Sequence, residues 1–147
     1  MRVVVQRVKQ ASVSVNNHVV SQIEYGFLLL VGLRNGDDED TIKNMALKIS
    51  KLRIFSDDTG LMNLNIHQIK GQILSISQFT LYGDVRKQNR PGFTQAMKFE
   101  HAKTMYALFN DYLRSHDLLV KEGVFGEHME VSLINDGPVT LIIDTSQ

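Results

Sequence analysis

Two kinds of hydrophobic spacing organise this chain: β-branched runs at both ends and two stretches of helical period between them. Residues 3–8 open as a strand, and Ser12-Val13-Ser14-Val15 alternates polar with apolar. Val19-Val20 follows, and then the buried-looking run Phe27-Leu28-Leu29-Leu30-Val31. Three or four strands joined by short turns are predicted there. Ile42, Met45, Ile49 and Leu52 then recur at spacings of three and four, behind Asp37-Asp38-Glu39-Asp40. Carboxylates at that point suit the unpaired amides of a helix start. Residues 73–81 predict a strand in which Ser75, Ser77, Gln78 and Thr80 interleave with apolar neighbours. A second helix is predicted over 94–113, with Phe99, Ala102, Tyr106, Phe109 and Leu113 on one face. Two closing strands, 129–134 and 139–143, are hinged on Asn135-Asp136-Gly137-Pro138. Strands gathered at both ends around two helices predict an α/β fold with antiparallel and parallel pairing.

Composition narrows this picture. At 147 residues, 43% hydrophobic and 22% charged, one soluble globular domain spanning 1–147 is expected. The longest apolar stretch, 27–33, falls far short of the roughly 20 residues of a membrane span. The opening Met1-Arg2-Val3-Val4-Val5-Gln6-Arg7 shows no export signal, so the cytoplasm is the expected compartment. There is no cysteine, which excludes disulfides, thiolate nucleophiles and cysteine-based metal sites. Sixteen basic and 16 acidic residues cancel, so the surface as a whole is not a polycation. A local patch remains: 85–99 holds Arg86, Lys87, Arg90 and Lys98 and no acid, beside Pro91 and Phe93. Four cations suffice to hold a few phosphates, and equally make a solvated loop.

No metal or cofactor is expected from motifs. H-E-x-x-H, the phosphate-binding Gly-rich loop and G-x-G-x-x-G do not occur, and the acids at 37–40 lack the spacing of a calcium loop. Two segments remain as candidates for chemistry. In Ser77-Gln78-Phe79-Thr80-Leu81 a hydroxyl needs a neighbouring base to become a nucleophile. None of His18, His67, His101, His116 and His128 stands at a spacing that points to it. Strand alternation would place Ser77 and Thr80 on opposite faces, so both face one pocket only if the strand ends or bulges between them. The alternative is a strand with solvated polar residues. In Asn135-Asp136-Gly137-Pro138-Val139-Thr140, glycine allows close approach and an X-Pro bond is the peptide that tolerates the cis form. The segment reads either as a stiff device presenting carbonyls or as an ordinary hairpin turn.

These two segments together resemble the signature pair of the D-aminoacyl-tRNA deacylases. The similarity extends to Met1-Arg2-Val3-Val4-Val5-Gln6-Arg7-Val8, to Leu30-Val31-Gly32-Leu33 and to Phe125-Gly126-Glu127-His128-Met129-Glu130-Val131. Gln88-Asn89-Arg90-Pro91-Gly92-Phe93 departs from that family's frequent Gly-x-Arg-Pro-Ser-Phe. The resemblance implies a layered α/β/β domain with two mixed, largely antiparallel sheets and two main helices, acting as a homodimer. It implies an editing hydrolase that cleaves the ester between a D-amino acid and the 3′-terminal ribose of tRNA, and removes glycine from mischarged tRNA. Ser77, Gln78, Phe79 and Thr80 would then form the catalytic pocket, with Phe125 and Met129 as walls. Gly137 and Pro138, joined by a cis bond, would enter the partner subunit's cleft and exclude L-aminoacyl esters. Arg7 would support that loop, and Arg86, Lys87 and Arg90 would contact tRNA. An aminoacyl ester is already activated and has a ribose 2′-hydroxyl beside it, so orientation plus main-chain donors near Phe79-Thr80 would suffice, ahead of Thr80 as nucleophile. Two rival readings are a simple esterase using Ser77 with His101 or His128, and a non-enzymatic RNA-binding module using Arg86, Lys87 and Arg90.

Overall fold

In the computed structural model, which describes residues 1–146, the two β-branched runs at the start are one strand, β1 (Arg2–Val15). Its first half pairs antiparallel with β3 (Gly26–Gly32), and its second half with β2 (His18–Ile23). The elements that follow are α1 (Glu39–Lys51), β4 (Phe55–Ser56), β5 (Met62–Leu64) and β6 (Gln72–Ser77). A 3₁₀ turn, Phe79–Tyr82, leads to α2 (Phe99–Ser115), β7 (Leu119–Glu122) and β8 (Glu130–Asp144). The main sheet runs β2-β1-β3-β6-β7, with β8 on the other edge of β1; β4 and β5 form a separate small ribbon. β3, β6 and β7 are parallel to one another, and every pairing of β1 is antiparallel. This is the mixed α/β architecture that the pattern predicts.

Alternation sorts the sheet's two faces. Val3, Val5, Phe27, Leu29, Val31 and Ile73 pack against Ile42, Met45, Ala46 and Ile49 of α1 and Phe109 and Leu113 of α2. On the opposite face, Leu28, Leu74 and Ile76 meet Val8, Ala11, Val13 and Ile23. β1 reaches both cores because its pairing with β8 shifts register around Val8 and its far half continues into β2. The sheet rolls over its own back until β2 lies along β7, where Ser21 Oγ donates to the Glu122 carbonyl (2.6 Å) and Lys121 Nζ to that of Gln22 (2.7 Å). Helices, sheet and folded-back strands give three layers.

The acids at 37–40 serve the start of α1. Asp38 is the N-cap, its Oδ1 accepting the Thr41 N–H at 2.8 Å, and buried Asp37 takes the Met1 amine and the Arg34 N–H. α2 begins at Phe99 rather than at 94. Residues 94 and 95 form a turn closed by the Ala96 N–H on the Phe93 carbonyl (3.1 Å), and 96–98 are drawn out because Ala96 bridges Arg34 and the Met97 N–H donates to the Leu33 carbonyl (3.0 Å). Phe99, expected on the buried face, is 55% exposed, since as the first helical residue it stands at the rim of a cleft. Among the described residues no helix is long and apolar enough to cross a membrane.

Candidate active site

The parallel strands β3 and β6 end side by side, the place where open α/β sheets commonly hold ligands. The strand expected over 73–81 stops at Ser77. Gln78 makes one more rung, its N–H donating to the Val31 carbonyl (2.8 Å), and the chain then winds into the 3₁₀ turn. Glycine at residue 32 lets the turn pack closely: a Cβ there would lie 3.0 Å from Leu81 Cβ and 3.2 Å from the Gln78 carbonyl oxygen, so the turn would have to give by a few tenths of an ångström. The condition set by alternation is thus met by a strand that ends.

Beside this turn lies a cleft of about 660 Å³, within the usual size range for small-molecule sites. Ser77, Gln78, Phe79, Phe125 and Met129 line it. Phe79 and Phe93 meet edge to face at 4.9 Å, and Phe125 is flanked by Phe99 (5.2 Å) and Tyr106 (5.6 Å). Thr80 stands outside the lining, and its Oγ1 accepts a hydrogen bond from Gln78 Nε2. Among the described residues, no hydrogen-bond acceptor within the chain takes the main-chain N–H of Phe79 or of Thr80. These are the free donors that begin a helical turn. His128 lines the cleft with Ser77, yet no hydrogen bond joins them; His101, exposed on α2, is not part of the lining.

Sequence reasoning read Tyr106 only as core. Its hydroxyl, buried under the cleft, donates to the Ser75 carbonyl at 2.8 Å, and burial pushes it up to about 12, so it remains a protonated donor. The signal was there: a tyrosine in a hydrocarbon stripe needs an acceptor for its hydroxyl. The basic loop is less bare than its composition suggests. Arg86 grips Asp84, just outside the acid-free window, through Nε (2.9 Å) and Nη2 (2.7 Å), which holds the Asp84 carboxyl well below the usual carboxylate range. Lys87 and Arg90 remain exposed without such a partner among the described residues. A second concavity of about 410 Å³ lies against the last turns of α1, lined by Lys48, Lys51 and Arg53, and contains none of the candidate residues.

The other candidate segment is a bulge, not a turn between two strands. Both of its flanks pair with β1, Gln6 with Thr140 and Val8 with Asn135, so residues 136–139 loop out opposite Arg7 alone. Arg7 is buried and holds the loop: Nε donates to the Asp136 carbonyl (2.9 Å) with the Asp136 carboxylate 3.4 Å away, and Nη1 donates to the Ile54 carbonyl (2.7 Å). Asn135 braces it from within, accepting the Val139 N–H at 2.7 Å and donating to Thr140 Oγ1 at 2.9 Å. The Gly137–Pro138 peptide is cis, and both residues are exposed. Arg7 lies beside Phe27 at the start of β3, whereas Ser77 lies beside Val31 near its end. Four residues of strand and three strand spacings put the loop roughly 20 Å from the cleft of its own chain.

Residues 4–144 match the family model described as D-Tyr-tRNA(Tyr) deacylase. A protein named D-aminoacyl-tRNA deacylase from an Exiguobacterium species is 52% identical over 98% of this chain and 98% of its own. Relatives of the same name from Bacillus cytotoxicus (52%, covering 99% of each chain) and Lactobacillus gasseri (50%, covering 98% of this chain and 99% of its own) are similar. A solved structure described as "c-Myc DNA Unwinding Element Binding Protein" superposes with a TM-score of 0.92 at 38% identity over 99% of each chain. Another, described as a probable eukaryotic D-amino acid tRNA deacylase, superposes at 0.82 over 97% of each chain with 16% identity, a likeness of fold alone. A match that spans both candidate segments, with half of all positions shared by full-length relatives, settles the assignment: the chain belongs to the D-Tyr-tRNA(Tyr) deacylase family.

Proposed function

We propose that this protein is a D-aminoacyl-tRNA deacylase of the cytoplasm, hydrolysing the ester between a D-amino acid, or glycine, and the 3′-terminal ribose of tRNA. Water adds to the ester carbonyl, the bond to the ribose O3′ breaks, and the proton lost by water passes to that oxygen, leaving free amino acid and tRNA. The observation that carries the reading is the pair of unpaired main-chain amides, Phe79 and Thr80, at the edge of the cleft. They are donors for the negative charge that grows on the carbonyl oxygen. Thr80 Oγ1 has an amide donor beside it and no base, so the ribose 2′-hydroxyl of the substrate, not Thr80, assists the water. Phe79 and Phe93 offer ring faces to the terminal adenine, Phe125 and Met129 wall the amino-acid side, and Lys87, Arg90 and Arg86 follow the tRNA backbone.

Selectivity is assigned to a homodimer in which the Gly137–Pro138 loop of each protomer enters its partner's cleft. The loop is exposed, braced at its base and too far from its own cleft to serve it. Its carbonyls leave room for a hydrogen or a D side chain and collide with an L side chain. One assay tests this: release of D- and L-amino acids from tRNA, compared side by side. The wild type clears the D ester and spares the L ester. Gly137→Ala places a Cβ 2.7 Å from Val139 Cγ2 and 3.1 Å from Arg7 Nη2, at a φ of +137°. The loop must shift, and hydrolysis of the L ester rises by roughly 10-fold or more, as it does in Pro138→Ala. Thr80→Ala and His128→Ala retain activity. L esters spared by both loop variants overturn the steric filter. Activity abolished in His128→Ala favours a Ser77–His128 esterase, and tRNA bound without release leaves a binding module.

A further inference from the structure

The cleft depends on where the 3₁₀ turn points, and the far end of that turn is held by a residue outside the cleft. Arg2 Nη1 donates to the Leu81 carbonyl at 2.7 Å. The guanidinium lies over the ring of Tyr82, 5.1 Å from its centroid, and Nε donates to Asp144 Oδ2 at 2.7 Å. Asp144 is itself buried and fixed, its Oδ1 accepting from the Ser146 N–H (2.9 Å) and Oγ (2.6 Å). Arg2 is opposite both Gly32 and Asp144 in the sheet, so its side chain rises from the rigid β3–β1–β8 ladder. The inner side of the turn meets Gly32, and its Leu81 carbonyl meets a cation, the favourable charge at a C-terminal end. The opposite end carries the Phe79 and Thr80 amides.

We infer that Arg2, buttressed by Asp144, is a positioning residue that sets the tilt of the 79–82 turn and thereby the aim of the Phe79 and Thr80 amides. It acts through Leu81 and touches no substrate. The guanidinium suits the task because one rigid plane spans the carboxylate and the carbonyl at once. An ammonium on a flexible stem satisfies one of them well and the other poorly.

This rests on the deacylase reading, and the test separates the two. Arg2→Gln is measured beside Arg2→Lys and Asp144→Asn for kcat and KM on D-aminoacyl-tRNA, with amide ¹⁵N–¹H spectra of each free protein. In Arg2→Gln, kcat falls by roughly 10- to 100-fold while KM stays within about 2-fold, the signature of misaimed donors rather than lost binding. Arg2→Lys recovers part of the loss, and Asp144→Asn loses less than Arg2→Gln. The Phe79 and Thr80 amide peaks shift in Arg2→Gln, while those of Asn135 and Val139 at the other end do not. An unchanged kcat, a rise in KM alone, or unmoved Phe79 and Thr80 peaks overturns the inference. A wild type inert on D-aminoacyl-tRNA overturns the deacylase reading instead, and the spectra then still decide whether Arg2 sets the turn.

Discussion

The two ends of β3 are built on opposite plans. Where Val31 pairs with Ser77, the chain leaves main-chain donors unmatched beside an open cleft lined by aromatic rings. Where Phe27 pairs with Arg7, a buried guanidinium takes up the carbonyls of Ile54 and Asp136, and Asn135 satisfies the interior of the loop. In the proposed dimer the first end is receptive and the second is an insert. A receptive end must keep polar groups unspent, whereas an insert must spend them on its own stiffness. This asymmetry is what two copies need if each supplies what the other lacks.

The insert should be the costlier end to damage. Arg7→Ala leaves the Asp136 carboxylate and two carbonyls short of donors in a nearly closed site, and should lower unfolding free energy by about 3 kcal/mol. Urea titration gives the number, and a loss under 1 kcal/mol would mean that the loop holds itself. The second test sits on the strand ends behind the cleft. Burial works to raise the Asp144 carboxyl, but bonds from Ser146 and then Arg2 outweigh it and draw the group down to about 2. With a folded pKa below the unfolded value near 3.9, Asp144 contributes stability in full above about pH 4 and loses it as pH falls toward 2. The stability gap between wild type and Asp144→Asn, of order 2 kcal/mol at pH 7, should therefore close over that window. A gap that persists at pH 2 would place its origin in packing. Smallest is the effect at the receptive rim. Phe79 is 58% exposed, so Phe79→Ala should change stability by under about 0.5 kcal/mol. It should raise KM for aminoacyl-tRNA roughly 5-fold through lost stacking on a base. A stability loss above 1 kcal/mol would make that rim structural and weaken the contrast between the ends.

The parts of the fold that follow local rules were legible in the sequence. The three/four spacing of Ile42, Met45 and Ile49 and the Asp38 cap mark α1 within a residue or two, and the alternation in β1 sorts its two cores. What stayed hidden depends on distant partners. Residues 78–81 carry the alternation of a strand, and the close approach of the turn to Gly32, across the sheet, has no marker in that alternation. Asn135 to Pro138 carries the composition of a hairpin, and only the continued pairing with β1 makes it a bulge. β7 is four residues in the lee of a helix, too short to show a period, and the β4–β5 ribbon is shorter still. Of the candidate residues, the two signature segments and Arg7 were visible as motif. Tyr106 showed only that its hydroxyl needs an acceptor, and Arg2 not even that, because each reaches a carbonyl that has no marker in the sequence.

The roll of the sheet has one more consequence. With β2 brought alongside β7, the long strand left at the margin is β8, which pairs with β1 alone among the described residues and exposes Ile134, Leu141 and Ile142. A straight margin of that length is a template on which foreign chains can add and aggregate. The outward loop at 136–139 breaks it into two short runs, and Pro138 offers no N–H to a newcomer. The projection assigned above to the partner's cleft in the proposed dimer also denies strangers a continuous place to bind.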